Sequence, residues 1–203
     1  MLGQVECISY VNIELSDNFV TQITRLDIPD VLLLATKRYP DTRGYFTELY
    51  NAKTLAEAGI DDKFVQDNLS LSAMSGTIRG LHFQVPPYAQ SKLVRVSSGR
   101  ILDVAVDIRP ASSTYGRHVA VEISADNGLQ IYIPDGFAHG FCTLEPDTVV
   151  VYKVSSYYAP GAEAGILWSD PQLKIDWPVT AKHAIISDKD AVLPLLNDLS
   201  LKF

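Results

Sequence analysis

The sequence predicts an all-β domain, built as an antiparallel sandwich or a closed barrel with a few short helices. Two stretches, Ile101–Arg109 and His118–Ser124, alternate apolar and polar residues with the period of two that indicates a half-buried strand. Turn-forming clusters separate the strands at regular intervals; Arg109-Pro110 is one, and Ala125–Gly128 is another. Many short strands at such spacing are typical of sandwiches and barrels.

The first part of the chain is less regular. Residues 1–20 alternate only weakly and fit an extra strand and a loose arm equally well. From Thr21 onward the pattern predicts short strands, which Pro29, Pro40 and Gly44 interrupt.

The later elements are clearer. Ala52–Gly59 combines good helix formers with a terminal glycine, so a short helix is expected there. Leu129–Pro134 and Thr148–Tyr158 are predicted strands. Ser187–Leu196 begins with an N-cap serine and an acidic first turn, which predicts a second short helix.

Size and charge narrow the possible functions. A chain of 203 residues without linker or repeat fits an N-terminal extension over 1–22 and a single domain over 23–203. The net charge of −7 argues against a nucleic-acid partner, because binding to phosphate backbones requires a basic face. A few Arg and Lys side chains in one pocket could still hold a small anion.

The sequence favours a cytoplasmic protein that has no membrane partner. Cys7 and Cys142 lie far apart and match no metal or redox spacing, so two free thiols are the simplest interpretation. No charged region followed by a long apolar run opens the chain. The most apolar run, Val31–Ala35, is far too short to cross a bilayer.

The segment Gly76–Gly99 concentrates polar side chains that could do chemistry. Its β-branched flanks predict two strands joined by a turn at Pro86-Pro87, with the side chains of His82 and Lys92 side by side on a sheet face. A neutral imidazole could accept a proton there, and an ammonium could stabilise negative charge. Taken alone, the segment fits a half-buried structural histidine and a solvated lysine just as well.

Other common catalytic signatures are missing from the sequence. It contains no glycine-rich phosphate loop, which disfavours kinase and dehydrogenase chemistry. It also lacks the Gly-x-Ser-x-Gly elbow of serine hydrolases.

A second glycine-bounded segment, Gly128–Phe141, resembles the second motif of the cupin barrels, and Gly76–Gly99 resembles the first. In cupins these motifs place three histidines and a glutamate around a metal. Here Gln84 and Lys92 stand at two of the four positions, and an ammonium repels a divalent cation. The resemblance therefore implies a cupin-type double-stranded β-helix (jelly-roll) barrel without a metal.

Eight runs of sequence, in order and in register over Ile23–Leu196, resemble the dTDP-4-dehydrorhamnose 3,5-epimerase family. These runs are DTRGYFTELY, FVQDNLS, IRGLHFQ, AQSKLVRV, ILDVAVDIR, IPDGFAHGF, ILWSDPQLKIDWP and SDKDAVLPLL. The resemblance implies epimerisation of a dTDP-4-keto-6-deoxyhexose at C3 and C5 without metal or organic cofactor. A C4 ketone acidifies both neighbouring carbons, so the enzyme needs a base, an acid on the opposite face and a group that stabilises the enolate.

The resemblance also implies catalytic roles for four residues. His82 matches the base of the family, and Asp190 matches the carboxylate that orients this imidazole. Lys92 matches the residue near the C4 carbonyl, and Tyr152 matches the acid on the opposite face. From the residues alone, Asp190 is equally well a surface helix acid, and Tyr152 a core or rim residue.

Substrate-binding residues follow from the same resemblance. Arg43 and Arg79 match guanidiniums that bind the diphosphate. The remaining expected contacts to nucleotide or sugar are Phe46, Glu48, Gln66, Asn68, His139 and Tyr158.

The family forms dimers in which N-terminal strands extend the partner's sheet, so a homodimer is expected. The alternatives are an enzyme that inverts only C3 or only C5 of a related nucleotide sugar, or a sugar-nucleotide-binding cupin without activity. A metal-dependent cupin oxygenase is disfavoured by Gln84 and Lys92.

Overall fold

Two antiparallel β-sheets packed face to face form the body of the structure, a computed structural model that describes residues 21–199. In chain order the strands are β1 (Thr21–Arg25), β2 (Leu32–Thr36), β3 (Arg38–Asp41), β4 (Gly44–Thr47), β5 (Gln66–Ser72), β6 (Ile78–Gln84), β7 (Lys92–Ser98), β8 (Arg100–Asp107), β9 (His118–Ser124), β10 (Leu129–Ile133), β11 (Phe137–Thr143), β12 (Thr148–Val154) and β13 (Glu163–Gly165). The six-stranded sheet has the order β1-β2-β10-β7-β12-β5, and the five-stranded sheet has the order β13-β6-β11-β8-β9. The predicted all-β fold is confirmed.

A hairpin, two short helices and two 3₁₀ turns complete the described part of the fold. Strands β3 and β4 pair only with each other and form a separate hairpin. Helix α1 (Ala52–Glu57) begins after Asn51, whose side chain accepts bonds from two backbone N–H groups of the first turn. Helix α2 (Asp188–Ala191) is capped by Ser187 in the same way, which confirms the N-cap expected there. Two 3₁₀ turns lie at Pro160–Ala162 and Leu196–Asp198.

Apolar side chains fill the space between the sheets and also cover parts of both outer faces. Strand β8 has apolar side chains on both of its faces, and each face packs against a different apolar cluster. Ile101 and Ala105 pack into the central core, while Leu102, Val104 and Val106 pack on the other side against the C-terminal segments. A strand buried on both faces is held more firmly than one that faces solvent. The middle of the five-stranded sheet is therefore held firmly by packing on both of its faces.

The segment between Gly76 and Gly99 crosses from one sheet to the other. The turn at Pro86-Pro87 is confirmed, but β6 belongs to the five-stranded sheet and β7 to the six-stranded sheet. The prediction that His82 and Lys92 lie side by side on one sheet face is therefore wrong. They face each other across the interior, and Lys92 Nζ donates a hydrogen bond to the backbone oxygen of His82 (3.2 Å).

Two expectations fall outside or at the edge of the described residues: the free thiol expected at Cys7 lies outside them, and the N-terminal extension lies at their edge. The predicted extension 1–22 is described only at Thr21 and Gln22, which begin β1, so the division at residue 22 stays a prediction. Within residues 21–199, no helix is long and apolar enough to span a bilayer.

A close approach of β6 and β11 fixes the spacing of His82 and His139. His82 and His139 are direct cross-strand partners, and the register shifts just beyond them, between His139 and Phe141. A Cβ atom on Gly80 would lie 2.6 Å from the backbone oxygen of His139, and one on Gly140 would lie 2.7 Å from that of Arg79. Gly80 also has φ +113°, which side-chain-bearing residues avoid. Glycine is therefore required on both strands beside the histidines.

We expect Gly80→Ala to lower the free energy of unfolding by about 3 kcal/mol, from the steric overlap and the strained φ together. Gly161→Ala is the matched control, because no atom lies within 4 Å of its added Cβ and the change should stay within about 0.5 kcal/mol. Denaturant unfolding measures both variants. Equal stability of the two would show that the strands have room for a methyl group.

Candidate active site

A cavity of about 710 Å³ opens between the two sheets and is lined by residues of β5, β6, β7, β11, β12, β13 and the C-terminal segment. The structure brings nine of the twelve predicted site residues to its walls. These are Gln66, Asn68, Arg79, His82, Lys92, His139, Tyr152, Tyr158 and Asp190. A cavity of this size with converging polar side chains suits a small-molecule ligand.

His82 and Asp190 form a hydrogen-bonded pair on one wall. His82 Nε2 lies 2.7 Å from Asp190 Oδ1, and the N–H of Gly80 donates to Asp190 Oδ2 (3.3 Å). Burial raises the pKa of the Asp190 carboxyl, but the hydrogen bond and charge of His82 outweigh it and hold that pKa below its ordinary value. Asp190 is therefore a carboxylate that accepts from Nε2, and Nδ1 is the ring nitrogen left for chemistry.

Lys92 reaches the same space from the opposite sheet. Its side chain is buried, and burial lowers the pKa of the ammonium from 10.5 to about 8. The negative charges of Asp103 and Glu163 act in the opposite direction and limit that fall. Lys92 is thus a cation at neutral pH in a poorly solvated site, where its charge acts more strongly than in water.

His139 stands next to His82 on the neighbouring strand and forms a second histidine–aspartate pair. Its Nε2 lies 2.9 Å from Oδ2 of Asp103, a residue with no solvent exposure. Burial lowers the pKa of His139, so the ring is neutral at pH 7.

Tyr152 lies on β12, in the sheet opposite His82. It is flanked by Asn68 of β5 and Val94 of β7. Burial raises the pKa of the phenol, although the charge of Arg79 acts to lower it. Tyr152 therefore keeps its proton at neutral pH and can donate it.

Comparisons with known proteins identify the family of the chain. The sequence model of the family described as dTDP-4-dehydrorhamnose 3,5-epimerase matches residues 25–198. The chain belongs to this family. A dTDP-4-dehydrorhamnose 3,5-epimerase from Shigella flexneri is 49% identical over 169 residues, which cover 83% of this chain and 92% of the relative.

Two solved structures of dTDP-4-dehydrorhamnose 3,5-epimerase relatives are similar over most of their length. The enzyme from Bacillus anthracis, with TDP and PPi bound, has a TM-score of 0.84 and 50% identity, covering 86% of this chain and 99% of that one. A dTDP-6-deoxy-D-glucose-3,5-epimerase from Legionella pneumophila, in complex with dTDP-4-keto-L-rhamnose, has a TM-score of 0.85 and 44% identity, covering 89% and 95%. The cupin-type sandwich expected of the 3,5-epimerase family is confirmed.

The cavity mouth contains residues that the sequence interpretation missed. Glu163 accepts a hydrogen bond from the hydroxyl of Tyr158 (2.8 Å) and pairs with Lys189 (2.5 Å). Lys189 directly precedes Asp190 in the sequence, so its place on α2 was a usable signal. Glu163 offered none, because its strand has three residues and follows a Pro-Gly turn.

Hydrogen bonds hold four of the polar residues at the cavity in place. Gln66 Nε2 donates to Asn68 Oδ1 (2.8 Å), and Gln66 Oε1 accepts from the N–H of Tyr158 (3.2 Å). Arg79 donates to the hydroxyl of Ser72 (3.1 Å) and to the backbone oxygen of Leu71 (2.9 Å). These residues are held in place before any ligand binds.

Gln84 has a structural task. Its Nε2 donates to the backbone oxygens of Tyr88 (2.7 Å) and Tyr157 (3.3 Å), and its Oε1 accepts from the N–H of Ala159 (2.7 Å). It therefore ties two loops to β6. Among residues 21–199, no group of three His, Cys, Asp or Glu side chains is placed to hold a metal ion.

Three predicted binding residues lie outside this cavity. Arg43, Phe46 and Glu48 sit on or just after the β3–β4 hairpin and do not line it. The Arg43 side chain is 87% exposed and pairs with Asp41, and Phe46 is 69% exposed. Their binding role stays a prediction.

The buried charge of Lys92 makes a prediction about stability. A lysine whose pKa falls from 10.5 to about 8 on folding lowers the free energy of unfolding by about 3 kcal/mol. This holds at a pH where the lysine is protonated in both the folded and the unfolded chain. That cost is full below pH 8, and it shrinks between pH 8 and 10.5, where the folded chain has already released its proton and the unfolded chain has not. We expect Lys92→Met to be about 3 kcal/mol more stable than the natural chain at pH 7, with the gap closing as pH rises.

Denaturant unfolding at several pH values measures this gap. Lys182→Met, which replaces an exposed lysine, is the control and should change stability by no more than about 0.5 kcal/mol. A gap for Lys92→Met that stays constant across pH 7 to 10.5 would contradict a buried ammonium.

Proposed function

We propose that this protein epimerises dTDP-4-dehydro-6-deoxy-D-glucose at C3 and C5 to give dTDP-4-dehydro-L-rhamnose, without metal or organic cofactor. One observation carries the proposal: a carboxylate-paired imidazole and a protonated phenol stand on opposite walls of one cavity, with a buried ammonium between the same sheets. Inversion of a carbon acid needs a base on one face and an acid on the other.

His82 is the base in this mechanism. Its Nδ1 removes the proton from C3 or C5, since Nε2 is engaged with Asp190. The carboxylate of Asp190 stabilises the imidazolium that forms and keeps the ring from rotating. The electron pair of the broken C–H bond moves into the C4 ketone, which gives an enolate.

Lys92 stabilises that enolate. Its charge is buried, so little water screens it from the oxygen at C4. Within the described residues its ammonium donates to the backbone oxygen of His82, which leaves two N–H groups for the substrate.

Tyr152 returns a proton to the opposite face of the carbon. Its raised phenol pKa keeps the O–H intact until the enolate forms. When the enolate collapses, the O–H bond breaks, a new C–H bond forms and the C4 ketone is restored, so the centre is inverted. The substrate proton remains on His82 and exchanges with solvent.

Polar residues at the mouth bind the nucleotide diphosphate. Arg79 offers a guanidinium, Gln66 and Asn68 offer amide groups, and Tyr158 offers an exposed ring to the base. The relatives described above bind TDP and dTDP-4-keto-L-rhamnose, which are ligands of this chemical class. The free, buried thiol of Cys142 suits the reducing cytoplasm, where we place the enzyme.

A homodimer completes the site in this proposal. The outer face of β5 exposes Leu69 (67%) and Leu71 (54%), an apolar surface that a second copy would cover. The side chains of Arg43 and Phe46 are exposed and do not line the cavity of their own chain. In a two-fold dimer each hairpin would reach the partner's cavity, where the guanidinium and the ring would meet the nucleotide.

Two variants test the catalytic assignment in D₂O with dTDP-4-dehydro-6-deoxy-D-glucose, followed by proton NMR. His82→Ala should lose deuterium incorporation at both C3 and C5 by about 10²–10⁴-fold, because the carboxylate-paired base that removes these protons is gone. Tyr152→Phe should retain exchange and lose inversion. Exchange at only one carbon in the natural enzyme would indicate a single-centre epimerase. Retained exchange in His82→Ala would show that His82 is not the base.

Mixed dimers test whether the hairpin acts on the partner. Arg43→Ala alone should lose about 10–100-fold in kcat/KM through its lost diphosphate contact, and His82→Ala alone should be inactive. A heterodimer of the two, purified through two affinity tags, should regain about half of the natural activity, because one of its two sites has both residues. A heterodimer with only about half of the activity of the Arg43→Ala homodimer would contradict a shared site, because the one remaining base would then work with the altered hairpin of its own chain.

A further inference from the structure

Asp103 is a buried carboxylate that the proposed mechanism does not use. It lies on β8 with no solvent exposure and does not line the cavity. Its strand partner on β11 is Phe141, and His139 stands two residues along the same strand. Side chains two residues apart on β11 point to the same face of the sheet. Asp103, whose direct partner is Phe141, is therefore the diagonal neighbour of His139 and contacts its ring.

The two carboxylate oxygens of Asp103 have different surroundings. Oδ2 pairs with His139 Nε2 at 2.9 Å, while Oδ1 is buried and meets no hydrogen-bond donor among residues 21–199. A carboxylate accepts and never donates, so His139 must carry its proton on Nε2. Its Nδ1 is then an unprotonated acceptor, as His82 Nδ1 is beside Asp190.

The charge of Asp103 has no cation in direct contact. A buried anion without such a partner is costly, so an opposite charge nearby is expected. Lys92 supplies it from the facing sheet, and among the anions that keep its ammonium charged Asp103 is the strongest, ahead of Glu163. Within residues 21–199, the other titratable or charged groups that line this cavity, besides His139, are Arg79, His82, Tyr152, Tyr158, Lys189 and Asp190.

We propose that Asp103 is a positioning residue, which fixes His139 with Nδ1 toward the cavity and supplies the buried negative charge against which Lys92 stays an ammonium. The proposal rests on the proposed function for its catalytic consequence only. Asp103 touches no substrate; it acts through His139, as an acceptor for a sugar hydroxyl, and through Lys92, as the enolate stabiliser. The site therefore uses two histidine–aspartate pairs, one for proton transfer and one for orientation and charge.

Asp103→Asn tests the charge and the tautomer together, because the amide is the same size but neutral. NMR of protein labelled with ¹⁵N-histidine and ¹³C-lysine reads the His139 tautomer and the Lys92 titration directly, without any turnover. In the natural protein we expect His139 protonated on Nε2 alone. In the variant we expect Lys92 to titrate about one pH unit or more lower. The alkaline limb of the pH profile of kcat/KM should shift to lower pH by the same amount. At a pH above this limb the variant should therefore be about tenfold less active than the natural enzyme.

Asp107→Asn is the matched control. Asp107 is an equally buried carboxylate of the same strand, but it accepts bonds from Arg109, Ser112 and Thr114 outside the cavity. The Asp107→Asn variant should have a lower thermal stability, while the Lys92 titration and the pH profile of kcat/KM stay unchanged. An unchanged Lys92 titration in Asp103→Asn would overturn the proposal.

A wild-type His139 protonated on Nδ1 would overturn it too, and this measurement stands even if the variant does not fold. Absence of epimerase activity together with the expected NMR result would instead count against the proposed function alone.

Discussion

The hydrogen bond between His82 and Asp190 is the constraint on which the cavity depends. It joins β6 to α2 across 108 positions of sequence, so the C-terminal segment must fold back over the five-stranded sheet. Backbone bonds from Ile78 to Ile185 and from Ile185 to Gly76 secure this return. The burial of Leu196 beneath the same sheet adds apolar contact. Loss of this packing would release Asp190 and leave His82 without its carboxylate.

The sandwich divides the chemistry between its two sheets. The five-stranded sheet holds His82 and His139 on adjacent strands, where Gly80 and Gly140 allow the two backbones to approach closely. The six-stranded sheet presents Lys92 and Tyr152 from the other side. In the proposed mechanism a substrate ring between the sheets meets the base on one face and the acid on the other, because the central core holds the two sheets at a fixed distance. Opposite-face proton transfer is thus a property of the layered architecture.

Much of this could be predicted from the sequence. The strand His118–Ser124 and the Ser187 cap depend on local pattern and chemistry, and both were predicted correctly. Which sheet β6 and β7 join is a long-range choice, so the facing arrangement of His82 and Lys92 could not be foreseen. The pairing of His82 with Asp190 came from family resemblance alone, since no local signal links residues 108 positions apart.

The hydrogen bonds of Gln84 limit which residues can replace it during evolution. It occupies a position where cupins place a metal ligand, yet its amide holds the loops at Tyr88 and at Tyr157–Ala159 on β6. A histidine there has too few donors and acceptors to hold all three backbone groups. A cupin-type metal ligand could therefore not be introduced at this position without loss of backbone contacts. Replacing Gln84 by histidine would release at least one loop that borders the cavity, so the change of one ligand would also require a change in the loops.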